Sequence, residues 1–191
     1  MEMKKPRTSP TQKVRTPEEA ISRLRKKALD RRDTRSFLSK LIALALFVWV
    51  LFGVCFHMVP VSNDDMKPTL RARDLQIVYC FPGDLIANDV VVYHVQGMKR
   101  TGRIIGRPGD SIEITEENRV LVNGASPYEG NIYYSTPAYD SDIAYPLMLG
   151  EDEYFILSDF REGAIDSRQF GPVNKSQIDG KVIAALRRSS L

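Results

Sequence analysis

Hydrophobic positions change rhythm twice along this chain, and each change predicts a different kind of element. From Leu41 to Val59, LIALALFVWVLFGVCFHMV, 19 residues run without a formal charge at neutral pH. As a helix rising about 1.5 Å per residue, the segment reaches roughly 28 Å, the thickness of a bilayer's hydrocarbon core. Ahead of it, apolar Ile21, Leu24 and Ala28 recur at helical spacing among Arg23, Arg25, Lys26, Lys27, Arg31 and Arg32. Thr16-Pro17-Glu18-Glu19 opens that stretch with a hydroxyl cap, a proline at the first helical position and a capping-box glutamate. Beyond Pro60 the apolar runs become short, β-branched and aromatic: 75–80, 89–95, 102–106, 111–114, 119–122, 131–135, 153–157 and 180–186. Pro82-Gly83-Asp84, Pro108-Gly109-Asp110 and Asn123-Gly124 punctuate them as turns. Such strands without intervening long helices predict a mainly β chain, an antiparallel barrel or sandwich preceded by one transmembrane helix. The organisation expected is a basic tail over residues 1–40, a membrane span over 41–59 and a β domain over 60–191.

Charge divides the chain at the same boundary and orients it. Residues 1–40 hold 13 Lys or Arg against 5 Asp or Glu, and the remaining 151 residues hold 14 against 19. Positive residues next to a span stay on the cytoplasmic side, so the tail is expected inside and the β domain outside the cell membrane. Pro60-Val61-Ser62-Asn63 after the span shows no Ala-x-Ala cleavage pattern, which predicts an uncleaved signal anchor. The basic helix suits the anionic lipid of the inner leaflet better than nucleic acid, because it adjoins a span. Residues 1–15, rich in Lys, Pro and Thr, read as disordered.

Several chemistries are excluded on residue content. The two cysteines, Cys55 in the expected span and Cys80 outside it, predict no intrachain disulfide, and no metal-ligand spacing or phosphate-binding glycine loop is present, so no metal or cofactor is expected. His57 and His94 are the only histidines, and both read as structural, His57 at the outer interface of the span.

Four ordered boxes then carry a resemblance. Asp65-Met66-Lys67-Pro68-Thr69-Leu70, Asp89-Val90-Val91-Val92-Tyr93, Gly102-Arg103-Ile104-Ile105-Gly106-Arg107-Pro108-Gly109-Asp110, and the pair Ser158-Asp159-Phe160-Arg161 with Asp166-Ser167-Arg168-Gln169-Phe170-Gly171-Pro172-Val173 are similar to those of the type I signal peptidases. The resemblance covers about residues 41–186. In active members it implies a serine nucleophile and a neutral lysine base, an arrangement that needs the amine desolvated. Here Asp65 stands at the nucleophile, Gly102 at the lysine and Ala164 at the serine that positions the lysine. Asn63 falls where some members have an oxyanion-stabilising hydroxyl. The resemblance also implies a structural pairing of Asp166 with Arg168.

Neighbouring residues offer no replacement. Lys99 lies an odd number of positions from Gly102 and points to the other face of a strand, Arg100 faces the right way but stays protonated, and Ser62 would need a displaced base as well. Asp64 points away from Asp65 in an extended chain, which removes an aspartic dyad.

What the boxes leave is an apparatus for holding extended peptide, with a groove expected to be walled by Val61, Asn63, Asp65, Met66, Val90 and Val92 and enlarged by the loss of a side chain at Gly102. The nearest resemblance is to the noncatalytic signal-peptidase-like proteins of Gram-positive pilus assembly. It implies an assembly factor that assists pilin subunits or their sortase; the alternative is a signal peptidase with displaced chemistry.

Overall fold

A computed structural model describes residues 17–130, 132 and 134–187. The expected disorder of residues 1–15 and the Thr16 cap lie outside them. Contacts divide the chain into two units meeting between Val48 and Trp49. The first consists of most of helix α1 (Pro17–Val50), which continues into a π-helical turn at Leu51–Cys55. The 24 residues Arg32–Cys55 are long and apolar enough to cross a membrane. The span expected to run to Val59 is corrected at its C-terminal end: Phe56–Pro60 forms strand β1, paired antiparallel with β2 (Leu75–Tyr79). An apolar strand continuing an apolar helix leaves no change of composition to mark the junction.

The second unit is a set of antiparallel sheets. To β1 and β2 are added β3 (Val90–Val95), β4 (Met98–Gly106), β5 (Ser111–Ile114), β6 (Val120–Val122), β7 (Leu147–Met148), β8 (Glu153–Leu157), β9 (Val173–Asn174) and β10 (Ile178–Leu186), with a short helix α2 (Ser167–Phe170) between β8 and β9. The larger sheet runs β1-β2-β10-β3-β4-β8-β9 and the smaller β6-β5-β7. The fold is therefore mainly β and antiparallel, as expected, but the larger sheet does not close: β1 and β9 are its edges. The run at 131–135 forms no strand at its described residues Ile132, Tyr134 and Ser135.

β8 explains how the core is organised. After Glu153 the strand reads YFIL, a continuous apolar run, because both of its faces are covered. Tyr154 and Ile156 pack with Val91, Tyr93 and Ile104 on one side, while Phe155 and Leu157 pack with Ile105, Ile112 and Leu149 on the other. β4 divides its own residues the same way, with Ile104 facing the first cluster and Ile105 the second.

Candidate functional site

Tyr93 and Arg100 are opposite one another across β3 and β4, as are Val91 and Gly102, so Tyr93, Arg100 and Gly102 share one face. Asp65 reaches the same neighbourhood from the loop after β1. Its carbonyl accepts a hydrogen bond from the Phe160 N–H at 2.8 Å, and its side chain accepts one from Asn63 Nδ2 at 2.5 Å. Partial burial raises the Asp65 carboxyl above the usual carboxylate range, opposed by Arg100 and then Asn63, while Asp166 and Asp64 add to the rise. Asp64 itself turns outward to pair with Lys67 at 2.8 Å. Arg100 Nε and Tyr93 Oη are both buried without a hydrogen-bond partner, so the polar groups around Asp65 are close but unsatisfied.

The Gly102 expectation is corrected. Its missing side chain opens no space, because a Cβ there would lie 2.6 Å from Ile156 Cγ2 and 3.2 Å from both Leu157 O and Tyr93 Cε1. The volume a lysine stem would need is occupied by Ile156, Tyr93 and main chain. Lys99 is on the other side of the strand, 3.3 Å from Asp179, and Ser62 is exposed. Ala164 is buried and has no hydroxyl to position anything.

The expected groove walls are also corrected. Val61 and Met66 are buried together with Leu70, and Val90 packs against them; Val92 is fully buried as well. These are core contacts, and strand β3, flanked by β10 and β4, offers no free edge. Of the wall residues, Asn63 is exposed and Asp65 and Val90 are half-buried.

Behind the site lies a network that sequence reading recognised only in part. Asp166 and Arg168 are both fully buried and form a bidentate pair, with Nε–Oδ1 and Nη2–Oδ2 distances of 2.8 Å. Asp166 also caps α2 through the Arg168 N–H and accepts from the Ser158 N–H at 3.1 Å. Arg168 Nη2 donates to Arg161 O at 2.8 Å, and its guanidinium lies 4.4 Å from the Tyr139 ring centroid. Arg161, equally buried, donates to Ser158 O at 2.7 Å, to Thr136 Oγ1 at 2.8 Å and to Glu129. Asp159 takes two hydrogen bonds from Arg103, at 2.8 and 2.6 Å, and one from Thr69. Ser158-Asp159-Phe160-Arg161 was the signal for this second set, but its partners Glu129, Thr136 and Thr69 come from distant loops that spacing does not connect.

The two cysteines are not separated as expected. The Cys80 N–H donates to Cys55 O at 3.0 Å, and Cys80 Sγ lies 3.3 Å from His57 Nδ1. No group of three or more His, Cys, Asp or Glu residues able to hold a metal occurs among the described residues.

Comparison with known proteins agrees with these boxes. Residues 34–186 match the family model described as signal peptidase, peptidase S26. The chain is 34% identical over 152 residues to signal peptidase I P of Bacillus subtilis subsp. natto, covering 73% of this chain and 81% of that protein. It is 30% identical over 169 residues to signal peptidase IB of Staphylococcus aureus, covering 78% and 88%. A crystal structure of a signal peptidase I from Enterococcus faecalis, 24% identical, superposes with a TM-score of 0.46 over 53% of this chain and 99% of that one.

Proposed function

The chain belongs to the signal peptidase family, and we propose that it serves there as a noncatalytic member: a membrane-anchored module that holds extended polypeptide at the outer face of the cell membrane. The observation that carries this reading is the filled space at Gly102. A general base must reach the proton it removes, and here the position of the base lacks a side chain and the room for one, while Asp65 offers no hydroxyl. Asp65, Gly102 and Ala164 make one set, since a positioning hydroxyl has no purpose without an amine to position.

The surface proposed for the partner is the free edge of β1, which runs in sequence directly into Asn63 and Asp65. An edge strand presents unpaired main-chain groups to an added strand, and Asp65 places a carboxylate beside it. The partners we infer are pilin subunits, their sortase or both, with anionic lipid along the basic tail. Deleting the gene and blotting for polymerised surface protein tests this: loss of polymer, restored by the parent chain, supports the assembly role, and undiminished polymer contradicts it.

A second reading, a signal peptidase with displaced chemistry, is favoured by the names of the relatives in Bacillus and Staphylococcus. Accumulation of uncleaved precursors in the deletion strain, with polymerisation of mature subunits intact, would support it instead.

A further inference from the structure

The β1–β2 register places Phe56 opposite Tyr79 and His57 opposite Val78. The 3.0 Å hydrogen bond from the Cys80 N–H to Cys55 O, which closes the Phe56–Tyr79 pair, brings the end of the π-helical turn at Cys55 against Cys80. Residues joined by such a main-chain bond have Cα atoms about 5.5 Å apart, within the range of about 4.4 to 6.8 Å that a disulfide spans. Both thiols are free and partly exposed. His57, opposite Val78, is diagonal to Cys80 across the strand pair. Its Nδ1 is 3.3 Å from Cys80 Sγ, and both residues line one cavity of about 220 Å³ together with Val78, His94, Lys99 and Asp179. Burial pushes the Cys80 thiol above its ordinary range, opposed first by a hydrogen bond from the His57 main chain, and the imidazole nitrogen 3.3 Å from the sulfur is the basic side chain in contact with it.

We propose that Cys55 and Cys80 are a redox-active dithiol pair, closing to a cross-strand disulfide by exchange with an incoming disulfide, with the His57 imidazole as the base for Cys80. His57 takes the proton from the Cys80 thiol, and the thiolate attacks one sulfur of the incoming disulfide, breaking its S–S bond. The departing thiolate takes up the proton held on His57. The Cys55 thiol then loses its proton to solvent and attacks Cys80 Sγ in the mixed disulfide, and the second thiolate leaves and is protonated. Two protein thiols are oxidised, one incoming disulfide is reduced to two thiols, and the account balances. The product ties the end of the apolar helical segment to β2 and fixes the edge strand β1, on the side of a membrane where disulfides persist.

The test uses the purified full-length chain in detergent, folded, incubated with oxidised glutathione and then alkylated. Both thiols should become unavailable together within the monomer, with a peptide map joining Cys55 to Cys80. Cys55→Ser should stop at glutathione on Cys80. His57→Gln should reach the same disulfide at neutral pH about tenfold or more slowly, the loss expected for a thiol without its base. Thiols that remain alkylatable together, cross-links formed only between molecules, or glutathione trapped on Cys55 would overturn the pair. An unchanged rate in His57→Gln would overturn the role of the histidine.

Discussion

Two neighbouring regions of the body carry buried charge in opposite ways. Around Asp166, Arg168, Arg161, Asp159 and Arg103, carboxylates and guanidiniums meet in bidentate pairs, and main-chain carbonyls take further guanidinium N–H groups. Around Asp65, a partly buried carboxyl has one amide donor, and Arg100 Nε and Tyr93 Oη find no partner. A saturated network fixes geometry, because removing one member leaves the others desolvated and unpaired; an unsaturated one holds polar capacity that a bound chain can use. On the noncatalytic reading proposed above, the difference teaches that the boxes separate physically into a scaffold part, which this chain retains, and a chemical part, which it would have vacated at residues 65, 102 and 164.

The largest expected effect lies in the scaffold. Arg168→Ala leaves the fully buried Asp166 carboxylate without its cation and should cost about 3 to 5 kcal/mol. Scanning calorimetry of the body should show a melting temperature lower by on the order of 10 °C. A change of one or two degrees would put both regions in the same class and break the comparison.

Next in size is Gly102→Ala. In an unconstrained strand this replacement is stabilising, but here the new Cβ meets Ile156 Cγ2 at 2.6 Å, and overpacking should cost about 1 to 3 kcal/mol. Ile156→Ala in the same chain should relieve the clash, so the double mutant should be more stable than the sum of the single effects allows. Additive losses would mean that the space is not filled as described. For the same reason Asp65→Ser with Gly102→Lys should not create a working dyad, and Ala164 would leave the new amine unpositioned even if it entered.

The smallest effect is electrostatic. Burial raises the Asp65 pKa above 3.8 in the folded chain, so the folded state binds the proton more tightly than the unfolded one. The stability this supplies is fully present below pH 3.8 and is lost as pH rises through the folded value. Asp65→Asn, which cannot ionise, should therefore gain stability relative to the parent as pH rises through that window, by an amount that solvent screening keeps modest. Thermal melts of the two chains across the acid range measure it, and parallel curves would contradict the assigned direction.

The sequence was informative where side-chain period and turn chemistry agree. β5 at Ser111–Ile114 and β8 at Glu153–Leu157 match expectation residue for residue. It was uninformative where composition is continuous across a structural boundary: FHMVP reads as the end of a span and is an edge strand. That one misreading also hid the contact between Cys55 and Cys80, since it put the two cysteines in different phases. β7 and β9, two residues each, are too short for any period to register. At the site, the identities at 65, 102 and 164 were legible, but the consequence at 102 was not. Whether a missing side chain leaves a hole depends on Ile156 and Tyr93, partners that only the sheet brings together.

The central claim, that this member of the family has given up cleavage, is tested most directly by turnover. The purified full-length chain in detergent should be incubated with a signal-peptide substrate that a serine-type signal peptidase cleaves under the same conditions. The account predicts no product above that of a substrate-only control, and no change in Asp65→Ala. Cleavage at the signal-peptide site that is lost in Asp65→Ala would contradict it.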